Sequence, residues 1–415
     1  MPDQPTPRYL VINRYDDEFG EYHRFVEGLR CRLAYLTLPC GLDVLDQDGA
    51  LATVVLAELG FETVREQAEL LIREHGPFDG VVALSERDLL TAARLREALG
   101  VPGSRPDFIR RFLDKPRMKE LVGGAGLRVP RYLGLDGSTT AGDVVAAIGQ
   151  PVVLKPRAAA ASRGVVVCAD EAELAAALHG IDPAEHECEE YIDGGMYHVD
   201  GVRRGGKFHY VSVSEYIDTC LGFAQGRRLG SVLIGPGQLR DRAAEFAGLC
   251  LDALGLDDGA FHLELFHTAA DELVFCEVGM RPGGGEIGFI HRDVLGIDLF
   301  GESFRAILGL PPLDPPENFA DPVGGGFVMV PEAGPLPSSV TSRTPMRGAV
   351  PEVYAEVLPE VGDVFDGAGG YYLIGGRFRL RGEGYADVRR AVVTVMETYE
   401  LAVRPLGTDR RVEEP

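Results

Sequence analysis

The chain has 415 residues, 41 basic and 64 acidic side chains, a net charge of −23 and a hydrophobic fraction of 45%. That acidic excess argues against nucleic acid or an anionic membrane as the main partner, and the length suggests roughly two to four domains with ample cores. The seven cysteines show no C-x-x-C spacing, no apolar run approaches a membrane span, and the opening M-P-D-Q-P-T-P lacks a signal peptide's basic and apolar regions. A reduced, cytoplasmic protein is expected.

Residues 1–104 alternate between strand and helix patterns. R-Y-L-V-I-N predicts a strand, E-F-G-E-Y-H-R-F-V-E-G-L a helix and R-L-A-Y-L-T-L a second strand. F-E-T-V reads as a strand, Q-A-E-L-L-I-R-E-H as a helix and G-V-V-A-L as a buried parallel strand. The next helix has Ser85 as N-cap and Gly100 as its stop. The pattern implies an open parallel α/β sheet, without a G-x-G-x-x-G dinucleotide fingerprint. Glu86 lies just past a strand's carboxyl end, where such sheets bind ligands. The alternative reading is a helix-start acid favoured by the helix dipole.

V-P-G-S-R-P marks a boundary, and residues 105–195 form the next unit. Lys115 and Lys119 lie at a helix start, and Lys155 ends the strand Q-P-V-V-L-K-P. The small-residue loop R-A-A-A-A-S-R-G follows. Small residues leave backbone N–H groups able to cradle phosphates, and Ser162 and Arg163, before Gly164, can add donors. H-E-C-E-E-Y-I-D-G-G forms a strand running into a turn.

Residues 196–415 begin with a hairpin turning at Arg204 to Lys207, then a glycine-bearing loop from Leu221 to Gly230 and a helix with Leu239, Ala243, Phe246, Cys250 and Leu254 on one stripe. The stretch Gly259 to Gly285 is a second hairpin. Period-two alternation puts Glu264 and Glu277 on one face, opposite or nearly so. Two carboxylates facing across a ladder repel, whereas a divalent cation such as Mg²⁺ takes one or two carboxylates together with phosphate oxygens and water. Arg281 sits at the strand exit, and Gly283 to Gly285, Gly284 included, let the backbone approach a ligand closely. His262 shares the face of Glu264, as a substrate or metal contact or as a structural histidine. Glu215 and Tyr216 precede a loop and could line an acceptor pocket. Residues 322–415 read as a terminal subdomain of short strands with a final amphipathic helix.

Taken in order, these features resemble the ATP-grasp superfamily of carboxylate–amine ligases, and most closely its bacterial L-amino-acid ligases of peptide natural-product pathways. The resemblance implies an ATP-grasp fold: an N-terminal open parallel α/β domain, a small lid domain and a large antiparallel-sheet domain. It implies ATP with Mg²⁺ or Mn²⁺, amino-acid or peptide substrates, and an acyl-phosphate route to an amide bond; relatives are commonly dimers. Lys115 in L-D-K-P-R-M-K and Lys155 in V-V-L-K-P match the ATP-contacting lysines, and Ala158 to Gly164 the phosphate-covering loop. In C-E-E-Y-I-D-G, Glu189 would take the adenine amine, Glu190 and Ile192 would offer backbone groups, and Tyr191 and Ile192 would pack near the base. Glu264 and Glu277 match the metal carboxylates, and Arg281 the arginine that meets the reacting acyl group. Two positions depart from the family. Met196 replaces a ribose-binding glutamate, and Gly279 replaces the asparagine of E-x-N-x-R. The competing readings are another ATP-grasp reaction, of the carboxylase or purine-pathway type, and a catalytically silent nucleotide-binding module.

Overall fold

Four parallel strands open the chain, β1 (Arg8–Asn13), β2 (Arg32–Thr37), β3 (Ala52–Val55) and β4 (Gly80–Ala83), in the order β3-β2-β1-β4. They belong to a computed structural model that describes residues 6–159, 162–313, 324–367 and 374–406. Alternation along β1 sorts its side chains between two cores. Leu10 and Ile12 pack with Val64, Ala68 and Leu95 of the helices Phe61–His75 and Glu86–Leu99. Tyr9 and Val11 share a core with Phe289, Phe300 and Phe304 of the later helices Ile287–Leu295 and Leu299–Ile307. Phe19 stacks on Phe300 with ring centroids 4.0 Å apart. This second core ties the N-terminal sheet to the distal part of the chain.

Three local expectations change. F-E-T-V is the first turn of the helix Phe61–His75, because Val64, Ala68 and Leu71 bury one helical stripe that outweighs its β-branched residues. The segment after β1 forms only a 3-10 turn, Glu18–Gly20, and a four-residue helix, Tyr22–Phe25; burial of Phe19, Tyr22 and Phe25 sets its path. The loop expected from Leu221 begins as the helix Cys220–Ala224, capped by the Thr219 hydroxyl accepting from the Gly222 N–H.

A second, antiparallel sheet comprises β5 (Tyr132–Gly134), β6 (Val152–Pro156), β7 (Val166–Cys168) and β8 (His186–Glu190), in the order β5-β8-β6-β7. Leu154 and Cys188 pack there with Val144, Ile148 and Leu174 of two short helices.

The remaining strands are β9 (Gly194–Arg204), β10 (Lys207–Ile217), β11 (Leu229–Leu233), β12 (Gly259–Thr268), β13 (Leu273–Gly279), β14 (Gly324–Val330), β15 (Ser338–Arg343), β16 (Val353–Val357), β17 (Val364–Phe365), β18 (Gly376–Gly382) and β19 (Leu401–Pro405). Eight of them form an antiparallel sheet, β13-β12-β9-β10-β11-β14-β18-β16, and β17-β15-β19 form a small one. Strands from beyond residue 322 thus continue the large sheet, β14 pairing with β11. On one face Phe261, Leu263 and Leu265 pack against Ala247, Cys250 and Leu254 of the helix Gln238–Leu254 and against Met118 and Val122 of the helix Lys115–Gly124. Alternation turns His262, Glu264 and Phe266 to the other face. Among the described residues no helix is long and apolar enough to cross a membrane.

Candidate active site

Glu264 and Glu277 are direct cross-strand partners, with the ladder irregular just after Glu264. Glu264 is buried and Glu277 half-buried. Glu264 Oε1 accepts from Tyr216 Oη at 3.2 Å and from Cys220 Sγ at 3.5 Å, and lies 3.5 Å from His262 Nε2. Burial pushes the Glu264 carboxyl up, but His262 outweighs it and leaves the group below the usual carboxylate range. Lys115 Nζ stands 3.1 Å from Glu277 Oε2 and donates to the Ala159 carbonyl at 2.6 Å. Lys115 is the first residue of its helix, which the Asp114 side chain caps, so this ammonium is held at a rigid helix start.

The second lysine sits in a dense ionic cluster. Lys155 Nζ is 2.6 Å from Glu189 Oε1, and Lys119 Nζ is 2.8 Å from Glu189 Oε2 while also donating to Glu187. Burial works against the Lys155 ammonium, yet Glu189, with Cys276, Glu187 and Glu277 added, more than offsets it and raises the pKa. Both oxygens of Glu189 are therefore held by lysines here, whereas the sequence assigned that carboxylate to an adenine amine. The Glu190 carboxylate is held by Arg128 at 3.0 and 3.1 Å and by Arg131. Tyr191 is exposed and Ile192 buried. Ser162 begins the return of the small-residue loop at φ 51, and Gly164 follows at φ 72 with Arg163 between them; Ala160 and Ala161 lie outside the described residues.

Beside these charges is an apolar wall that the sequence did not reveal. Met196, Tyr216 and Leu229 form a buried cluster with Phe223, Phe266 and Cys276 packed against it. Met196 pairs with Phe266 across the ladder. The position expected to carry a polar ribose contact is thus part of a hydrophobic surface adjoining Lys155 and Glu264.

At the other end of the site, Arg281 Nε donates to Glu86 Oε2 at 2.8 Å, and its Nη1 to the Pro282 carbonyl at 3.0 Å. Gly279 lies directly opposite His262, and a Cβ there would stand 3.4 Å from Glu86 Oε2. A Cβ on Gly283 would come within 2.6 Å of Asp200 Oδ1, so only glycine fits over that carboxylate, whereas Gly284 faces open space. Asp200 bridges two histidines: Oδ1 lies 2.8 Å from His262 Nδ1 and Oδ2 lies 2.5 Å from His198 Nδ1. His198 Nε2 reaches Ser231 Oγ at 2.7 Å. Burial pulls the His262 imidazole down, but Asp200 and Glu264 overcome it and hold it at about 9.

The structure links Lys115 with Glu277, Lys155 with Glu189, His262 with Glu264 and Glu86 with Arg281, and the ladder sets Glu264 against Glu277 and His262 against Gly279, so these pairs adjoin one another. It does not bring Glu215 to them. Tyr216 reaches Glu264, so its neighbour Glu215 points through the opposite face of β10, where it accepts from Tyr385 and Arg389 of the helix Tyr385–Thr398. Sequence reasoning gave Lys119 no role, although it lies one helical turn after Lys115, and it passed over His198 and Asp200, although their i, i+2 spacing on β9 put them on one face. The facing carboxylates fit a divalent cation on chemical grounds: both are oxygen donors, and the ammonium now beside Glu277 shows that the pair draws in positive charge.

No family model matches the chain. Over 354 residues it is 25% identical to an L-arginine-specific L-amino acid ligase of Bacillus subtilis, covering 82% of this chain and 84% of that protein. Dapdiamide A synthase of Enterobacter agglomerans is 25% identical over 174 residues, 38% of this chain and 39% of the relative. An uncharacterized protein of Sinorhizobium fredii is 28% identical over 243 residues, 55% of this chain, and the match spans about half, 49%, of that relative's length. Among solved structures, an L-amino acid ligase from Bacillus licheniformis superposes with a TM-score of 0.75 at 19% identity, covering 98% of this chain and 100% of its own. The ADP complex of an N5-carboxyaminoimidazole ribonucleotide synthetase gives 0.66 at 19% identity, covering 94% and 97%. The fold is that of the ATP-grasp enzymes, and the relatives with a named activity to which the chain is similar are ligases. Within that class it is similar to the L-amino acid ligases.

Proposed function

We propose that this chain joins the carboxylate of an amino acid or peptide to an amine at the expense of ATP, through an acyl phosphate, releasing ADP and phosphate. The observation that carries this reading is the convergence on the Glu264–Glu277 pair of Lys115 from a helix packed on the large sheet, Lys155 from the second sheet and Arg281, which is anchored on a helix of the N-terminal unit through Glu86. The base packs on the Met196, Phe266 and Cys276 wall. Lys115 and Lys155 neutralise phosphate oxygens, with Ser162, Arg163 and Gly164 covering them. Glu264 and Glu277 would hold Mg²⁺ or Mn²⁺, which would supply charge neutralisation for phosphoryl transfer.

Arg281 holds the acceptor carboxylate, which attacks the γ-phosphorus as the bond to the ADP oxygen breaks. The ammonium gives one proton to solvent, the free amine attacks the acyl carbon while Arg281 stabilises the oxyanion, and the C–O bond to phosphate breaks as the second N–H proton passes to the departing phosphate, leaving the amide. Glu86, bound to Arg281, fixes the guanidinium plane and adds a negative charge able to receive the ammonium partner. Gly284 leaves room for substrate. Likeness to dapdiamide A synthase is in keeping with a place in peptide natural-product formation; a cytoplasmic homodimer completes the proposal. A phosphate-release screen across amino-acid pairs, with mass spectrometry of the products, tests the reading. Pair-dependent release with a dipeptide-mass product is expected. Bicarbonate-dependent release would favour a carboxylase, and no release with any pair a silent nucleotide-binding module.

A further inference from the structure

His262 is an unusual neighbour for a pair of metal carboxylates. Its ring is locked from behind, with Nδ1 at 2.8 Å from Asp200 Oδ1, and its other nitrogen is aimed at Glu264 Oε1, 3.5 Å away. A carboxylate behind an imidazole whose far nitrogen faces an acidic oxygen is the arrangement that orients histidine for metal coordination, fixing tautomer and ring plane. Two ligands at about 2.1 Å from one octahedral ion sit roughly 3 Å apart, close to the separation of Nε2 and Oε1. Exposure separates the members of the cluster. His262 and Glu264 retain 8% and 7% of their surface, whereas His198 and Asp200 retain 1% and 0%. The ladder partner of His262 is Gly279, which has no side chain to stand between the ring and an ion bound at Glu277.

We infer that His262 is a nitrogen ligand, through Nε2, of a divalent ion shared with Glu264, and that Asp200 is the positioning residue for it. Coordination displaces the Nε2 proton to solvent. The inference rests on the ligase reading for the location of the ion but not on turnover. An imidazole in place of an oxygen shifts preference away from Mg²⁺, a strict oxygen seeker, towards a transition ion such as Mn²⁺. His198 and Asp200 take no part in the coordination, because they are engaged with each other and with Ser231.

The test is pulsed electron paramagnetic resonance of Mn²⁺ bound with ADP to the full chain, prepared once with natural-abundance histidine and once with ¹⁵N-histidine. The account expects a ¹⁴N coupling that becomes a ¹⁵N coupling in the labelled protein and disappears in His262→Gln while Mn²⁺ remains bound. It also expects Asp200→Asn to weaken Mn²⁺ binding by about 10–100-fold. Bound Mn²⁺ without a histidine coupling in the unmutated protein would overturn the inference, as would a coupling unchanged in His262→Gln. The unmutated protein's spectra decide the matter even if a variant folds poorly. Because no amino acid is present, a failed ligase reading would show in the phosphate screen and leave this result standing.

Discussion

Arg281 Nε meets Glu86 Oε2 at 2.8 Å across 195 positions of sequence, joining the end of the acidic hairpin to the first helical residue after β4. The contact couples the N-terminal sheet to the site where acyl transfer is proposed. Arg281→Ala is expected to lower amino-acid-stimulated phosphate release on the order of 10²–10³-fold. Arg281→Lys should restore little, because an ammonium cannot reproduce the guanidinium fork. Glu86→Gln keeps the shape but removes the charge from a charge-assisted bond, so kcat/KM should fall about 10-fold to 100-fold. Steady-state phosphate release measures all three, and unchanged kinetics in Glu86→Gln would detach the N-terminal sheet from catalysis.

Glu277 faces Glu264 and pairs with Lys115. Chelation should abolish phosphate release, and added Mg²⁺ or Mn²⁺ should restore it. Glu277→Ala should lose release by on the order of 10²-fold or more even with excess metal. Turnover insensitive to chelator would remove the metal from the account.

The base-side wall gives a prediction about ATP alone. Phe266→Ala opens the patch formed with Met196 and Cys276 and should raise KM for ATP about tenfold, equivalent to roughly 1.4 kcal/mol of lost contact. The KM for the amino acids should be unmoved. A change confined to amino-acid KM would place the nucleotide elsewhere.

Lys119 is wholly buried between Glu187 and Glu189. Lys119→Met leaves buried carboxylates short of a partner and should destabilise the protein by about 3–5 kcal/mol. Adding Glu187→Gln should recover part of that loss. Urea unfolding of the single and double variants measures it, and a single variant as stable as the parent would show the cluster to be dispensable.

His262 predicts the direction of pH dependence in the metal-free protein. Asp200 and Glu264 hold it at about 9 against the opposing effect of burial, above the unfolded value of about 6.5. The folded state therefore binds more protons than the unfolded chain between those values. This stabilisation is complete below about pH 6.5 and is lost as pH rises towards 9, on the order of 1–3 kcal/mol. Urea midpoints across that range should fall with pH, and His262→Gln should flatten the slope. A slope unaltered in the variant would assign it to other groups.

Much of this architecture could be read from period and spacing. The alternation around Glu264 and Glu277 placed both on one face, and the ladder pairs them directly. The position of Glu86 was legible from the pattern, since it lies just past a parallel strand and opens a helix. Glu215 was misread because its significance depended on which face of β10 the strand's register would turn inward, and only the contact of Tyr216 with Glu264 fixes that. Met196 looked like a lost polar contact, because the sequence could not show that Phe266, Tyr216 and Leu229 would surround it. Asp200 was overlooked for the same reason: its two histidines come from its own strand and from a partner 62 positions away.

The most direct test of the central claim follows one oxygen atom. An accepted amino acid labelled with ¹⁸O in its carboxylate is incubated with ATP, metal and the amine partner, and the released phosphate is weighed by mass spectrometry. An acyl phosphate requires one ¹⁸O in each phosphate released. Amide product formed with unlabelled phosphate, or with the label in AMP, would contradict the mechanism.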